Sequence, residues 1–199
     1  MSEHYIRPDV KDFLDFANNQ LSRRKGPPDL AKMRQGSEEA RKHCDTPLGP
    51  LAVDRRIEIP GPAGALSARI FDARESREPG PIMLYCHGGG FVVCSANSHE
   101  SATAEMARVL DIPVISLDYR LAPEHPWPAA HDDAEAAARW LAACPPELAE
   151  RGFTPTSLLL GGDSAGGNLS LVTALTLRDR PAELPVAGML LFFPATDIS

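Results

Sequence analysis

Residues 158–167 read Leu-Leu-Leu-Gly-Gly-Asp-Ser-Ala-Gly-Gly, and this stretch decides the fold. Three consecutive leucines form a short unbroken apolar run, as expected of a strand covered on both faces. Gly162-Asp163-Ser164-Ala165-Gly166 fits G-x-S-x-G and leads into a helix predicted over 166–178. A serine at such a strand-to-helix turn must hold a strained backbone, at a cost of order 1–3 kcal/mol, if its hydroxyl is to project above the strand ends. Gly162 and Gly166 remove side chains that would collide in so tight a turn. The helix beginning at Ala165 aims its amide dipoles at the same point, where negative charge is favoured. Ser164 is therefore the candidate nucleophile. The plain alternative for this motif alone is a glycine-rich turn whose serine caps the helix.

Outward from this turn, strand and helix patterns alternate. Ile82-Met83-Leu84-Tyr85-Cys86 and Val114-Ile115-Ser116-Leu117 are two further buried runs, and residues 188–193 make a fourth. Between them Ala102, Met106, Val109 and Leu110 share one helix stripe, and Ala134, Ala137, Ala138 and Leu141 share another in a helix opened by Pro128. Such alternation predicts parallel βαβ units: an α/β fold, mostly parallel sheet with helices on both faces. Ahead of it, residues 53–59 and 66–71 read as a hairpin joined through Gly61-Pro62-Ala63-Gly64. Earlier still, Val10, Phe13, Leu14, Ala17 and Leu21 line a helix that Pro8 opens, and a weaker helix is predicted over 29–44. The organisation expected is a helical segment over 1–50 and the sheet-bearing part over 51–199.

Composition narrows the chemistry. The chain has 199 residues, with 20 Lys and Arg against 27 Asp and Glu, a net charge of −7. It lacks the clustered basic residues that a nucleic acid or an anionic membrane would require. The longest apolar stretch, 186–194, is far short of the ~20 residues that span a bilayer. Cys44, Cys86, Cys94 and Cys144 are widely spaced, which favours free thiols in a reducing compartment, the cytoplasm by default. No His, Cys or carboxylate pair has metal-ligand spacing, so no metal is expected.

His87-Gly88-Gly89-Gly90-Phe91 follows the strand ending at Cys86. Consecutive glycines let a backbone approach a ligand closely and turn successive amides toward one atom. No Lys-Ser or Lys-Thr follows, so the spacing fits no phosphate loop. The amides of Gly88, Gly89 and Ala165 are the expected oxyanion donors. His87, Gly90 and Asp163 are expected to shape the loop, His87 through a hydrogen bond.

Together these segments resemble the hormone-sensitive-lipase-like carboxylesterases of the α/β-hydrolase superfamily. The resemblance covers about residues 55 to 199. It rests on 87–91, on 162–167, on Asp118-Tyr119-Arg120-Leu121-Ala122-Pro123-Glu124-His125-Pro126-Trp127-Pro128-Ala129-Ala130, and on Phe193-Pro194-Ala195-Thr196-Asp197. It implies an α/β-hydrolase fold whose first fifty residues form part of a helical cap. The implied activity is carboxylic-ester hydrolysis through an acyl-enzyme on Ser164, probing short-to-medium acyl esters and needing no cofactor. Asp118, Arg120 and Glu124 read as a structural charge and turn network, and His125 and His131 as packing or surface residues.

One departure stands out. The superfamily order is Ser, then Asp or Glu, then His, yet no histidine follows His131, and only Asp179, Glu183 and Asp197 are acidic after Ser164. The expectation is that the C-terminal part of the fold, carrying the triad Asp and His, lies on a further fragment of the same enzyme. Its absence would leave an apolar sheet edge after 193 open. A homo-oligomer is possible, and the alternative reading is a non-catalytic small-molecule binder or receptor on the same fold.

Overall fold

A computed structural model describes residues 6–22, 29–44 and 46–196. The chain divides into two compact units, 1–46 and 47–199. The first holds α1 (Pro8–Ser22) and α2 (Leu30–Cys44). Pro8 opens α1, where its missing N–H costs nothing. Asp29 opens α2, its Oδ1 accepting from Lys32 N–H at 3.2 Å. On the α1 stripe Val10, Phe13 and Leu14 are each about two-fifths exposed. The Leu21 side chain lies outside the described residues.

The second unit begins with the hairpin, β1 (Val53–Gly61) and β2 (Gly64–Asp72), paired antiparallel with Gly61 opposite Gly64. Then come β3 (Gly80–Cys86), α3 (Glu100–Val109), β4 (Val114–Asp118), α4 (Ala129–Ala142), α5 (Pro146–Ala149), β5 (Pro155–Asp163), α6 (Ala165–Asp179) and β6 (Val186–Phe192). The sheet order is β1-β2-β4-β3-β5-β6. β3, β4, β5 and β6 run parallel and β2 is antiparallel to β4.

Alternation along the central strands sorts their side chains to two cores. Ile82, Leu84 and Cys86 pack with Ile115, Leu117, Leu158 and Leu160 against the alanine face of α4 and against Leu169 and Leu177 of α6. Phe71, Met83, Tyr85 and Val114 face the other way, against Ala104 and Ala107 of α3. Helices therefore cover both faces, as the apolar runs predict.

Two expectations need correction. The stripe of Ala102, Met106, Val109 and Leu110 is not the buried face of α3: Val109 is 70% exposed. Instead Glu100, Ser101, Thr103, Ala104 and Ala107 are buried. Small residues let α3 dock close, Thr103 Oγ1 satisfies itself on His99 O at 2.9 Å, and Glu100 pairs with Arg69. β6 is likewise not a fully buried strand. It forms the sheet edge, with Met189 47% and Phe192 37% exposed, and it ends one residue before Phe193.

Candidate active site

β3 and β5 are neighbouring parallel strands, so the turns that leave them meet at one end of the sheet. The turn after β5 carries Ser164 at φ +49, ψ −115, a conformation L-residues rarely hold. Its backbone is held from both sides. Ser164 N–H donates to Phe192 O at 3.0 Å, while its carbonyl accepts from Asn168 N–H at 3.1 Å and Ala195 N–H at 3.0 Å. Asn168 adds a bond from Nδ2 to Ala195 O at 2.8 Å.

Sterics explain the flanking glycines. A Cβ on Gly166 would stand 1.9 Å from Cys86 O, and one on Gly162 would stand 2.5 Å from the same oxygen. The side chain of Ser164 makes no capping bond to α6, so the helix-cap alternative does not hold. Ser164 is half-buried at the start of a fifteen-residue helix whose first amide, Ala165 N–H, has no acceptor among the described residues.

The turn after β3 is the glycine loop. Gly89 and Gly90 lie at φ +121 and φ +61, and Phe91 follows at φ +63. Val92 N–H and Val93 N–H both donate to Gly89 O, at 3.1 and 3.0 Å. The imidazole of His87 is buried and donates from Nδ1 to Gly88 O at 2.7 Å, the loop-shaping bond expected of it. Burial lowers the pKa of His87 to about 4, against the opposing pull of that carbonyl, so the ring is neutral at pH 7.

Asp163 sits between the two turns. Its Oδ1 accepts from Gly88 N–H at 2.9 Å and from Tyr85 Oη–H at 2.9 Å. Burial opposes its ionisation, but the contacts with His99, Tyr85 and Gly88 N–H prevail and hold the carboxyl below the ordinary value. Burial, reinforced by Asp163, drives the Tyr85 phenol and the Cys86 thiol upward, the thiol to about 12. Neither is a nucleophile at neutral pH.

The expected donor set changes at one position. Gly88 N–H is directed at Asp163 and is buried, so it is not left for an oxyanion. A Cβ there would stand 2.1 Å from Asp163 Oδ2, which shows how closely the backbone wraps that carboxylate. Gly89 and Gly90 are progressively more exposed, and their amides, like that of Ala165, donate to no group among the described residues.

The stretch 118–130 turns out to be scaffolding for this loop. Tyr119 Oη–H donates to His87 O at 2.7 Å and its ring stacks on His87 with centroids 4.3 Å apart. Ala122 N–H donates to Phe91 O at 2.8 Å. Asp118 accepts from Ala96 N–H at 2.6 Å and pairs with Arg56 at 3.3 Å. Arg120 grips the fully buried Asp133 through two nitrogens, at 2.7 and 2.9 Å. Asp118 and Arg120 are thus structural, with their charged partners outside the stretch, and Glu124 is exposed. His125 is exposed, and His131 packs on Phe91 and donates from Nε2 to Asn168 Oδ1 at 3.2 Å.

Tyr85, His99 and Asn168 belong to the site's framework but carry no local sequence signal, because each meets its partner only between elements. Among the described residues no imidazole is hydrogen-bonded to Ser164, and no group of His, Cys, Asp and Glu could hold a metal ion. Asp197 lies outside the described residues.

A strained serine on the central parallel sheet, facing a glycine loop from the adjacent strand, defines an α/β-hydrolase. The chain belongs to the alpha/beta hydrolase fold family, whose pattern matches residues 83–199, and within it to the hormone-sensitive-lipase-like esterases. It is 38% identical over 167 residues to the esterase LipI of Mycobacterium tuberculosis, covering 81% of this chain and 51% of that protein. It is 40% identical over 162 residues to the carboxylic ester hydrolase LipN of the same organism, covering 78% and 42%. An ester hydrolase from the metagenome of Lake Arreo superposes with a TM-score of 0.84 at 32% identity, over 98% of this chain and 62% of that one. A Pyrobaculum calidifontis esterase superposes with a TM-score of 0.80 at 33% identity, over 96% and 59%. The chain thus spans about half the length of the curated relatives it matches. No helix among the described residues is long and apolar enough to cross a membrane.

Proposed function

We propose that the protein hydrolyses carboxylic esters of short-to-medium acyl chains through an acyl-enzyme on Ser164. The observation that carries this reading is the serine at φ +49, whose hydroxyl no described residue bonds, together with Gly89, Gly90 and Ala165 amides that are unclaimed among the described residues. Ser164 Oγ attacks the acyl carbon, and the oxygen that becomes negative is received by Gly89, Gly90 and Ala165 N–H. The alcohol leaves, water attacks the acyl-serine, and the acid is released. His87 and Asp163 take no proton in this scheme. His87 is a neutral buried brace, and Asp163 is a carboxylate already engaged by three neighbours.

A base must still take the serine proton. The histidines of known placement are occupied elsewhere or exposed, and the relatives are about twice as long. We therefore assign the triad His and Asp to a C-terminal portion outside residues 1–199, seated against the half-exposed β6 edge. The 1–50 segment is proposed as part of a cap. Free thiols at Cys86 and Cys144 support a reducing compartment, here the cytoplasm.

A fluorophosphonate probe should label Ser164 in the full-length protein, and Ser164→Ala should abolish both labelling and turnover of a nitrophenyl ester. The expected loss is on the order of 10⁵–10⁶ in kcat. The lack of an imidazole against Ser164 among the described residues favours one competing reading, a binder without turnover. Unlabelled protein that binds esters equally well as Ser164→Ala would establish that reading instead.

A further inference from the structure

Three groups converge on Asp163: Gly88 N–H from the glycine loop, Tyr85 Oη–H from β3, and His99, which lies outside both. His99 Nε2–H, on the residue that opens α3, approaches both carboxylate oxygens of Asp163, at 3.3 and 3.4 Å. Its other ring nitrogen, Nδ1, is held by Ser98 Oγ at 2.9 Å. Its carbonyl anchors α3 by accepting from Thr103 N–H at 3.0 Å and Thr103 Oγ1–H at 2.9 Å. The imidazole is therefore held at both nitrogens and its backbone at the carbonyl, and only 18% of the side chain is exposed.

We infer that His99 is a positioning residue for the oxyanion hole, acting through Asp163 on the Gly88 amide. This inference rests on the ester-hydrolase reading. A carboxylate can rotate about its own axis, and two donors on Oδ1 alone do not fix it. His99 spans both oxygens and sets the carboxylate plane. That plane directs Gly88 N–H inward, to the residue adjacent to Ser164, while Gly89 and Gly90 N–H stay unclaimed among the described residues. One side chain on α3 thereby couples the loop after β3 to the turn after β5. An ångström of misplacement in such a site costs about 10²-fold.

The test compares two replacements in the full-length protein. His99→Phe keeps a ring against His87 and Tyr85, whose centroids lie 5.7 and 6.3 Å away, but has no donor. His99→Gln keeps an N–H donor at nearly the same reach. His99→Phe should lower kcat by about 10- to 100-fold while KM stays within about twofold, and His99→Gln should recover most of kcat. Hydrogen exchange at the Gly88 amide should quicken in His99→Phe and not in His99→Gln. A merely structural His99 would instead lower stability in both variants, with no split between kcat and KM. Unchanged kcat in His99→Phe, or no recovery in His99→Gln, overturns the proposal. If His99→Phe does not fold, Ser98→Ala, which frees the ring at Nδ1, should show the same kcat loss at smaller size, and its absence overturns the proposal too. Wild-type protein that hydrolyses no ester and resists labelling at Ser164 would refute the enzyme reading. Gly88 exchange would then still report whether His99 holds the loop.

Discussion

The two turns that form the site are neighbours in space and opposites in construction. The elbow after β5 is held by close packing and main-chain bonds: glycine contacts leave no room for a Cβ, and among the described residues no side chain bonds to the Ser164 hydroxyl. The loop after β3 is held by polar wiring, with His87, Tyr119 and Asp163 each engaging one of its backbone groups. The difference follows from what each must do. A nucleophile needs a single aimed atom, which sterics can enforce. Oxyanion donors need several amides left unbonded but fixed, and this requires that the neighbouring amides and carbonyls be satisfied elsewhere.

The sharpest way to break the contrast is to add a methyl group to each turn. Gly166→Ala puts a carbon 1.9 Å from the Cys86 carbonyl oxygen, where no rotamer gives relief. It should remove Ser164 labelling and destabilise the fold by about 3 kcal/mol or more. Gly90→Ala meets nothing within 4 Å and faces only its φ of +61, so it should cost about 1 kcal/mol and retain labelling. Thermal melts paired with probe labelling would compare them, and equal effects would collapse the distinction.

On the wired side, Arg120→Met leaves the Asp133 carboxylate buried without a counter-charge, held only by the backbone N–H of residue 120. The expected loss is about 3–5 kcal/mol in urea unfolding, largely restored by adding Asp133→Leu. Failure of the second change to restore stability would show that Arg120 contributes by packing.

A smaller effect should appear on acidification. His87 takes a proton at about pH 4 when folded and near 6.5 when unfolded, so within that window only the unfolded chain binds it. Stability should fall as the pH drops from 6.5 toward 4, by about 2 kcal/mol between pH 7 and pH 5. Tyr119, His99, Asp118 and Asp163 surround the ring. The slope over this range should flatten in His87→Phe. A slope that persists would place the titration on another group.

Much of this architecture is legible in the residues. The hairpin, the apolar strands and the alanine face of α4 follow from local periodicity, because each buries a contiguous apolar pattern. The buried face of α3 does not, since it is built from Glu100, Ser101 and Thr103, whose burial depends on Arg69 and on bonds to the helix's own carbonyls. The glycine loop is recognisable, but the donor that drops out is not. Gly88 is excluded only because Asp163, 75 residues later, claims its N–H. His99, Tyr85 and Asn168 are invisible for the same reason: their roles exist only between elements.

The sheet order has a kinetic consequence. β3 lies between β4 and β5, both of which come later in the chain. During synthesis the apolar run 82–86 must therefore wait for partners on either side, exposed to off-pathway association. Bringing Gly88 to Asp163 closes a loop of 75 residues, an entropic cost of about 4 kcal/mol before any contact is gained. High contact order of this kind slows folding, and it dates the site. Oxyanion loop and nucleophile come into register only when β5 docks, so a nascent chain carries both motifs long before it can carry their chemistry.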